Sequence, residues 1–100
     1  MRAIILRAFG APEVLEVTEV ERPEPAAGEV LLRVEAVGLN PVEAFARSGS
    51  LPVFGPPPMV LGWDVAGVVE AVGPGVDRFA PGDRAFGMPR FPRLAGGYAE

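Results

Sequence analysis

The chain has 100 residues and a formal net charge of −4, and 49% of its residues are hydrophobic. This length allows a single domain with a modest core, and the apolar content argues against intrinsic disorder. The negative charge disfavours a nucleic-acid partner. No apolar run approaches the roughly 20 residues of a membrane span, and the N-terminus lacks the apolar core of a signal peptide. We therefore expect no membrane association and a cytoplasmic location.

The chemistry open to this chain is limited by the residues it lacks. It has no Cys, no His and no Lys, and all nine basic residues are Arg. Without Cys and His a zinc site has none of its usual soft ligands, so we expect no bound metal. Cys–His and Ser–His nucleophile pairs and a Schiff-base lysine cannot be built. A general acid or base must be a carboxylate or Tyr98, and no catalytic residue can be named.

The first part of the chain predicts three strands. Residues 1–8 and 14–20 are rich in β-branched and apolar residues and are separated by the turn Gly10-Ala11-Pro12. A proline-spaced polar segment follows, which is too short for a domain linker. Residues 30–37 alternate apolar and charged side chains, which predicts a half-buried strand. With 13 Gly and 12 Pro and no period, the composition favours a mainly β fold with many turns.

One short helix is predicted at Pro41–Ser48. Asn40 suits the N-cap, Pro41 the first helical position, and Glu43 the third position of a capping-box-like start. Gly49 can end the helix in the left-handed conformation. A helix of about two turns is not stable alone, so packing must hold it.

The segment 60–86 carries the strongest strand and turn signals. Val65–Val72 is an apolar run typical of a buried strand, and Gly73-Pro74-Gly75 ends it. Ala80-Pro81-Gly82-Asp83 predicts a type II turn leading into a strand at Arg84-Ala85-Phe86. A phosphate loop would need a helix directly after the glycines, and no helical run follows. We therefore interpret both glycine motifs as turns, and the chain lacks a nucleotide-binding fingerprint.

The remaining segments are less informative. Residues 50–59 contain three consecutive prolines, which favours an extended polyproline conformation. Arg90 and Arg93 flank Phe91 in a basic loop, which we interpret as solvated with one anchored aromatic, although these arginines could contact a phosphate or a carboxylated substrate. Tyr98-Ala99-Glu100 has the pattern of the first residues of a further strand.

Several motifs along the chain resemble the medium-chain dehydrogenase/reductase superfamily, and more narrowly its zinc-independent, quinone-oxidoreductase-like branch. They are MRAIILRAFGAPEVLEV, G-L-N-P-V-E-A-F-A-R-S-G, G-x-D-x-A-G-V-V-E-x-V-G-x-G-V with P-G-D-R after it, and G-G-Y-A-E. The resemblance covers essentially residues 1–100, as the N-terminal, alcohol dehydrogenase-like part of such an enzyme. It implies a GroES-like, partly open β-barrel with one short helix. The Rossmann domain of the family has no counterpart in these residues and would follow Glu100.

The resemblance also assigns site residues. On sequence alone Asn40 is interpreted first as a helix cap. It stands where zinc-dependent relatives have a cysteine ligand, and in the resembled branch this asparagine lies near the nicotinamide end of NADPH; the two roles are compatible. Phe45 is assigned to the cofactor side and Leu51 to the substrate side, at two positions where tyrosine is frequent. Trp63 replaces a zinc-ligating histidine and is either part of an apolar substrate pocket or a core aromatic. Val42 replaces the hydroxyl residue of a proton relay, which makes alcohol oxidation less plausible.

The function implied by the resemblance is reduction of a small quinone or α,β-unsaturated carbonyl by hydride transfer from NADPH, without zinc. The chain would be the substrate-side domain, inactive alone, with NADPH bound mainly by a domain outside it; the resemblance allows a homodimer of the longer protein. Two alternatives stay open, a co-chaperonin-like barrel and a non-catalytic fragment or binding module. The short Gly10-Ala11-Pro12 turn counts against a co-chaperonin, which carries a long mobile loop there.

Overall fold

The computed structural model describes residues 1–89 and 96–100. In this part of the chain it has six strands and one α-helix. They are β1 (Arg2–Leu6), β2 (Leu15–Glu19), β3 (Val30–Val37), α1 (Pro41–Ser48), β4 (Met59–Val60), β5 (Val65–Val72) and β6 (Arg84–Gly87), with 3₁₀ turns at Pro12–Val14 and Pro52–Phe54. With eight residues, α1 is too short to cross a membrane, and no other described helix is long and apolar enough to do so.

The strands form two antiparallel sheets, ordered β2-β1-β4 and β3-β5-β6. The last residues connect them: Ala99 pairs with Ala3 of β1, and the Val34 amide of β3 donates to the Glu100 carbonyl at 2.9 Å. The Ile4 amide also donates to the Tyr98 carbonyl at 2.9 Å. The sheets thus close into a partly open barrel with one helix, as predicted, and the strand pattern expected at the last three residues is confirmed as a β-bridge.

The patterns of β3 and β5 predicted their boundaries, and the structure confirms them. Along β3, Leu32 and Val34 are half-buried while Arg33 and Glu35 are exposed, as the alternation predicts. Ala36 is exposed, contrary to that alternation. The pairing register with β5 shifts between Val34 and Ala36, and such a bulge changes the face to which the following residues point.

The glycine motifs after β5 are turns, as predicted. The Val76 amide donates to the Gly73 carbonyl at 3.3 Å, and Gly75 has φ +80°. In the second turn the Asp83 amide donates to the Ala80 carbonyl at 3.1 Å. No helix follows either motif, so neither has the geometry of a phosphate loop.

The core lies between α1 and the first sheet. Its buried cluster consists of Leu6, Ala46, Met59, Leu61 and Trp63. The Phe54 ring packs against the Trp63 indole with the ring centroids 4.8 Å apart. Burial of each large side chain contributes about 1.5–3 kcal/mol. Because α1 contributes Ala46 to this cluster, packing holds the short helix, as its length requires.

Two expectations for the segment before β5 are wrong. The polyproline conformation is not formed, because the chain makes a 3₁₀ turn at Pro52–Phe54 and the Pro57–Pro58 peptide is cis. The two-residue strand β4 was not predicted at the end of this loop. The basic loop with Arg90, Phe91 and Arg93 lies outside the described residues, so its interpretation stays a prediction.

Candidate functional site

The candidate site is built on the N-terminus of α1. Asn40 is the N-cap residue by its backbone, with φ −129° and ψ 150°, but its side chain makes no capping hydrogen bond. The prediction of its position is therefore confirmed, whereas the prediction of a side-chain cap is wrong. Asn40 is exposed, so its amide, which has two donors and an acceptor oxygen, is accessible from solvent.

Two exposed apolar side chains lie near Asn40 in the sequence. Leu39 is 83% exposed and Phe45 is 54% exposed. Ser48 and Ser50 both donate through their hydroxyls to the Phe45 carbonyl and fix the end of the helix. We call the exposed residues Leu39, Asn40 and Phe45 the open surface of α1.

Backbone contacts hold this surface on both sides. The Gly38 amide donates to the Asp64 carbonyl at 2.7 Å, which ties the segment before Asn40 to the start of β5. At the other end of α1, Gly10 and Arg47 are joined twice. The Gly10 amide donates to the Arg47 carbonyl at 3.0 Å, and the Arg47 guanidinium donates to the Gly10 carbonyl at 2.7 Å. The helix is therefore fixed to the barrel at both ends.

Trp63 and Leu51 lie apart from this open surface. Trp63 is 2% exposed and packs under the inner face of α1 with Ala46, so its interpretation as a core aromatic is confirmed. Leu51 is half-buried directly before the 3₁₀ turn. The substrate-pocket roles of Trp63 and Leu51 stay predictions, as do the cofactor roles of Asn40 and Phe45.

The structure adds a residue pair that sequence reasoning missed. Glu43 is 5% exposed, and neither of its carboxylate oxygens has a hydrogen-bond partner among the described residues. The capping-box expectation for Glu43 is therefore wrong, because its side chain is turned into the protein. Its position one residue after Val42 and three before Ala46 places it on the buried face of the helix, and this spacing was readable in the sequence.

The partner of this buried carboxylate is an aromatic side chain from the far end of the chain. Burial, the negative charge of Glu43 and a side-chain hydrogen bond of the phenol to this carboxylate raise the pKa of Tyr98 from 10.0 to about 12, although the contact does not meet strict hydrogen-bond geometry. The Tyr98 amide donates to the Leu61 carbonyl at 2.9 Å, which fixes the ring against the core. The two residues are far apart in sequence and meet because the barrel closes, so no local pattern could have predicted the pair.

Two cavities lie elsewhere in the barrel. One of about 430 Å³ is lined mainly by residues of β3, by the 23–29 connection and by residues 96–100, and one of about 310 Å³ lies between β1 and β3. Neither is lined by Asn40, Phe45, Leu51 or Trp63. In the described residues no three acidic side chains come together as a metal site, and the sequence has no Cys or His.

Comparison with known proteins identifies the family. Residues 26–99 match the family model described as the alcohol dehydrogenase GroES-like domain. The chain is 46% identical over 101 residues to the quinone oxidoreductase of Rattus norvegicus, which covers 100% of this chain and 30% of the relative.

Solved structures have the same fold. The quinone oxidoreductase of Pseudomonas syringae is 40% identical with a TM-score of 0.90, covering 99% of this chain and 29% of that one. A mycobacterial protein complexed with NADPH is 38% identical with a TM-score of 0.83, covering 98% and 28%. The chain thus spans less than a third of the length of these relatives. It belongs to the alcohol dehydrogenase GroES-like domain family, in the quinone-oxidoreductase-like branch of the medium-chain dehydrogenase/reductase superfamily, and its fold is the GroES-like barrel expected from its sequence.

Proposed function

We propose that these residues are the substrate-side domain of a longer, NADPH-dependent and zinc-independent oxidoreductase that reduces quinones or α,β-unsaturated carbonyls. The observation that carries the proposal is the exposed amide of Asn40, which is free of the helix backbone in a chain 46% identical to a quinone oxidoreductase. The substrate would be a small molecule. A cytoplasmic location and a homodimer of the longer protein remain predictions.

The residues of this chain fit the nicotinamide end of the cofactor and not its phosphates. Asn40 offers hydrogen-bond donors and an acceptor, and the exposed Phe45 and Leu39 offer apolar surface to a flat ring. The glycine motifs are β-turns without a following helix, so the phosphates must bind to another domain. When bound, NADPH supplies the hydride, and the chain's own task is to orient the ring and exclude water from one side.

The absence of Cys and His from the sequence supports a reaction without zinc. Asn40 occupies the position of a cysteine ligand in zinc-dependent relatives, and an amide is a poor zinc ligand. Val42 has no hydroxyl, although it occupies the position of the residue that relays protons in alcohol dehydrogenases. This donor set suits hydride transfer to a carbonyl-conjugated acceptor better than oxidation of an alcohol.

The proposal is tested on the longer protein, obtained by reading the gene beyond the codon for Glu100. We expect a strand followed by a segment A-x-x-G-x-x-G, and NADPH oxidation that depends on an added quinone or enone and persists in a chelator. Asn40→Ala should lower this activity, whereas Asp77→Ala, at an exposed loop position, should leave it unchanged. Loss of activity on chelation, or activity with alcohols alone, would contradict the proposal.

The co-chaperonin alternative is not supported by the connection between β1 and β2. This connection is a short turn held to α1 by Gly10 and Arg47, and it does not have the length or freedom of a mobile loop. Size-exclusion chromatography tests the point, because a heptameric ring would favour a co-chaperonin. A non-catalytic binding module would be favoured if the longer protein lacked any cofactor-binding motif.

A further inference from the structure

The first turn of α1 lacks the side-chain acceptor that its N-cap residue ordinarily supplies. The unpaired amides of a first helical turn carry partial positive charge, and an Asn cap usually accepts a hydrogen bond from one of them. Here the side chain of Asn40 makes no such bond. Pro41 has no amide hydrogen and removes one donor, but the positive end of the helix dipole remains. The Glu43 amide already donates to the Asn40 carbonyl at 3.2 Å and water reaches this exposed end, so a nearby negative group would add to the stabilisation of the turn.

Glu43 is the group in place to do so. It is the acidic residue of the first turn, and its carboxylate is inside the protein, with 5% of the residue exposed. Both carboxylate oxygens lack a hydrogen-bond partner among the described residues. A buried carboxylate is costly to keep charged; here the Tyr98 phenol interacts with it, and the positive field of the helix N-terminus compensates its charge further. The neighbouring Tyr98 phenol responds to the same negative charge.

We propose that Glu43 is a positioning residue for Asn40. Its buried carboxylate stabilises the first turn of α1 from inside, so that the turn does not need the Asn40 side chain as a cap. The amide of Asn40 is thereby left free on the exposed side for a ligand. That this ligand is the nicotinamide end of NADPH rests on the proposed function, whereas the division of roles between the two residues does not.

The placement of the two residues supports this division. They are three positions apart at the start of the same helix, yet Asn40 is exposed and Glu43 is buried. Because α1 has only eight residues, its start depends on such local stabilisation and on packing. A carboxylate that served packing alone would not influence the side-chain conformation of Asn40, and this difference can be measured.

The sequence provides a clean reporter, because Asn40 is its only side-chain amide. Selective labelling with ¹⁵N-asparagine therefore gives a single side-chain NH₂ pair in the NMR spectrum of the chain. In Glu43→Gln, which keeps the shape and removes the charge, we expect this pair to shift as Asn40 turns back to cap the helix. Glu43→Asp retains the charge but displaces it, and should shift the pair less than Glu43→Gln. Glu13→Gln removes one charge at an exposed position and should change nothing.

Thermal unfolding supplies an independent readout by a double-mutant cycle. Asn40→Ala should leave the unfolding midpoint nearly unchanged in the wild-type background. In the Glu43→Gln background the same substitution should lower it by roughly 4–8 °C, the effect of losing a cap in a domain of this size. An unmoved Asn40 amide, or equal effects of Asn40→Ala in both backgrounds, would overturn the proposal.

If Glu43→Gln does not fold, the Glu43→Asp variant decides. In that case the loss of unfolding midpoint in the Asn40→Ala variant is compared with that of Asn40→Ala in the Glu43→Asp background: a much larger loss in the Glu43→Asp background, where the charge is displaced, supports the proposal, and equal losses refute it. None of these measurements uses NADPH or activity. The activity assay of the longer protein can therefore contradict the proposed function while the roles of Glu43 and Asn40 are confirmed. Conversely, the NMR and unfolding experiments can contradict these roles while the assay supports the proposed function.

Discussion

Tyr98 holds its phenol in a partly buried position beside the carboxylate of Glu43, and this raises the pKa of the phenol. Burial disfavours the tyrosinate, and the neighbouring negative charge disfavours it further. Asn40, three residues before Glu43, keeps its amide free of the helix backbone. These properties lead to one prediction about pH and one about stability.

Tyr98 should make the stability of the chain fall at alkaline pH. Its pKa is raised from 10.0 to about 12 in the folded chain, so the folded state holds the phenolic proton more tightly than the unfolded state. The stabilisation is fully present below pH 10 and is lost as the pH rises towards 12. Because Tyr98 is the only tyrosine, ultraviolet absorbance of tyrosinate follows it directly.

In the same titration Glu43→Gln should move the transition of Tyr98 to lower pH, because it removes the neighbouring charge and leaves the burial of the ring. Glu13→Gln serves as the matched control and should titrate like the wild type. Circular dichroism at each pH verifies that the fold persists. A Glu43→Gln transition at the wild-type pH would show that burial alone raises the pKa.

Asn40→Ala should cost less than about 0.5 kcal/mol of unfolding free energy, whereas loss of a bonded Asn cap typically costs about 1 kcal/mol. The reason is that the Asn40 side chain makes no hydrogen bond to the first turn. Urea denaturation of the chain measures the difference. A loss of 1 kcal/mol or more would mean that Asn40 caps the helix in solution.

At the scale of elements, the two strongest strands and the helix could be predicted to the residue because local patterns specify them. Val65–Val72 is an apolar run between turn signals, and Pro41–Ser48 is framed by Asn40 and by Gly49, which has φ +86° as expected for a helix-ending glycine. Features set by tertiary contact were missed. The strand β4 is two residues long and exists only through its pairing with β1, and the bulge in β3 depends on its neighbour.

The close approach of β3 and β5 predicts that adding a side chain at Gly67 destabilises the fold, whereas adding one at Gly87 does not. A Cβ at Gly67 of β5 would collide with the Arg33 carbonyl oxygen of β3, which the backbone pairing holds in place. Gly67→Ala should therefore cost about 1–3 kcal/mol of unfolding free energy, as overpacking does. Gly87→Ala in β6 is the control, because a Cβ there meets nothing within 4 Å.

Urea denaturation of both variants tests this, with far-ultraviolet circular dichroism as the probe. Gly87→Ala should be neutral or slightly stabilising, since alanine lowers the conformational entropy of the unfolded chain. Equal stability of the two variants would show that β3 and β5 can move apart without cost.

At the scale of the whole molecule, we propose that the described surface forms one side of a cofactor site. The open face of α1 presents Asn40 and Phe45, and the glycine motifs form turns rather than a phosphate loop. The family could be predicted from the sequence because its motifs are spread over the chain. The pairing of Glu43 with Tyr98 next to this helix could not, because it joins residues far apart in sequence.

The 100-residue chain alone should not bind NADPH with useful affinity. Most of the affinity for a dinucleotide comes from its phosphates, and the turns after β5 leave no helix N-terminus to hold them. Isothermal titration calorimetry of the chain with NADPH measures this directly, and the longer protein is the positive control. A dissociation constant in the low micromolar range for the chain alone would contradict the prediction.

The pairing of the last three residues has a consequence for the order of folding. Tyr98 and Glu100 bond to Ile4 and Arg2 of the first strand and to Val34 of the third, and the Arg2 guanidinium holds the Glu100 carboxylate at 2.7 Å. These contacts join residues made at the beginning of synthesis to residues made roughly a hundred positions later. During synthesis, β1 and β3 cannot be joined through residues 98–100 until these residues have left the ribosome. Closure of the barrel is therefore a late and slow event, and the nascent chain is most exposed to aggregation just before it.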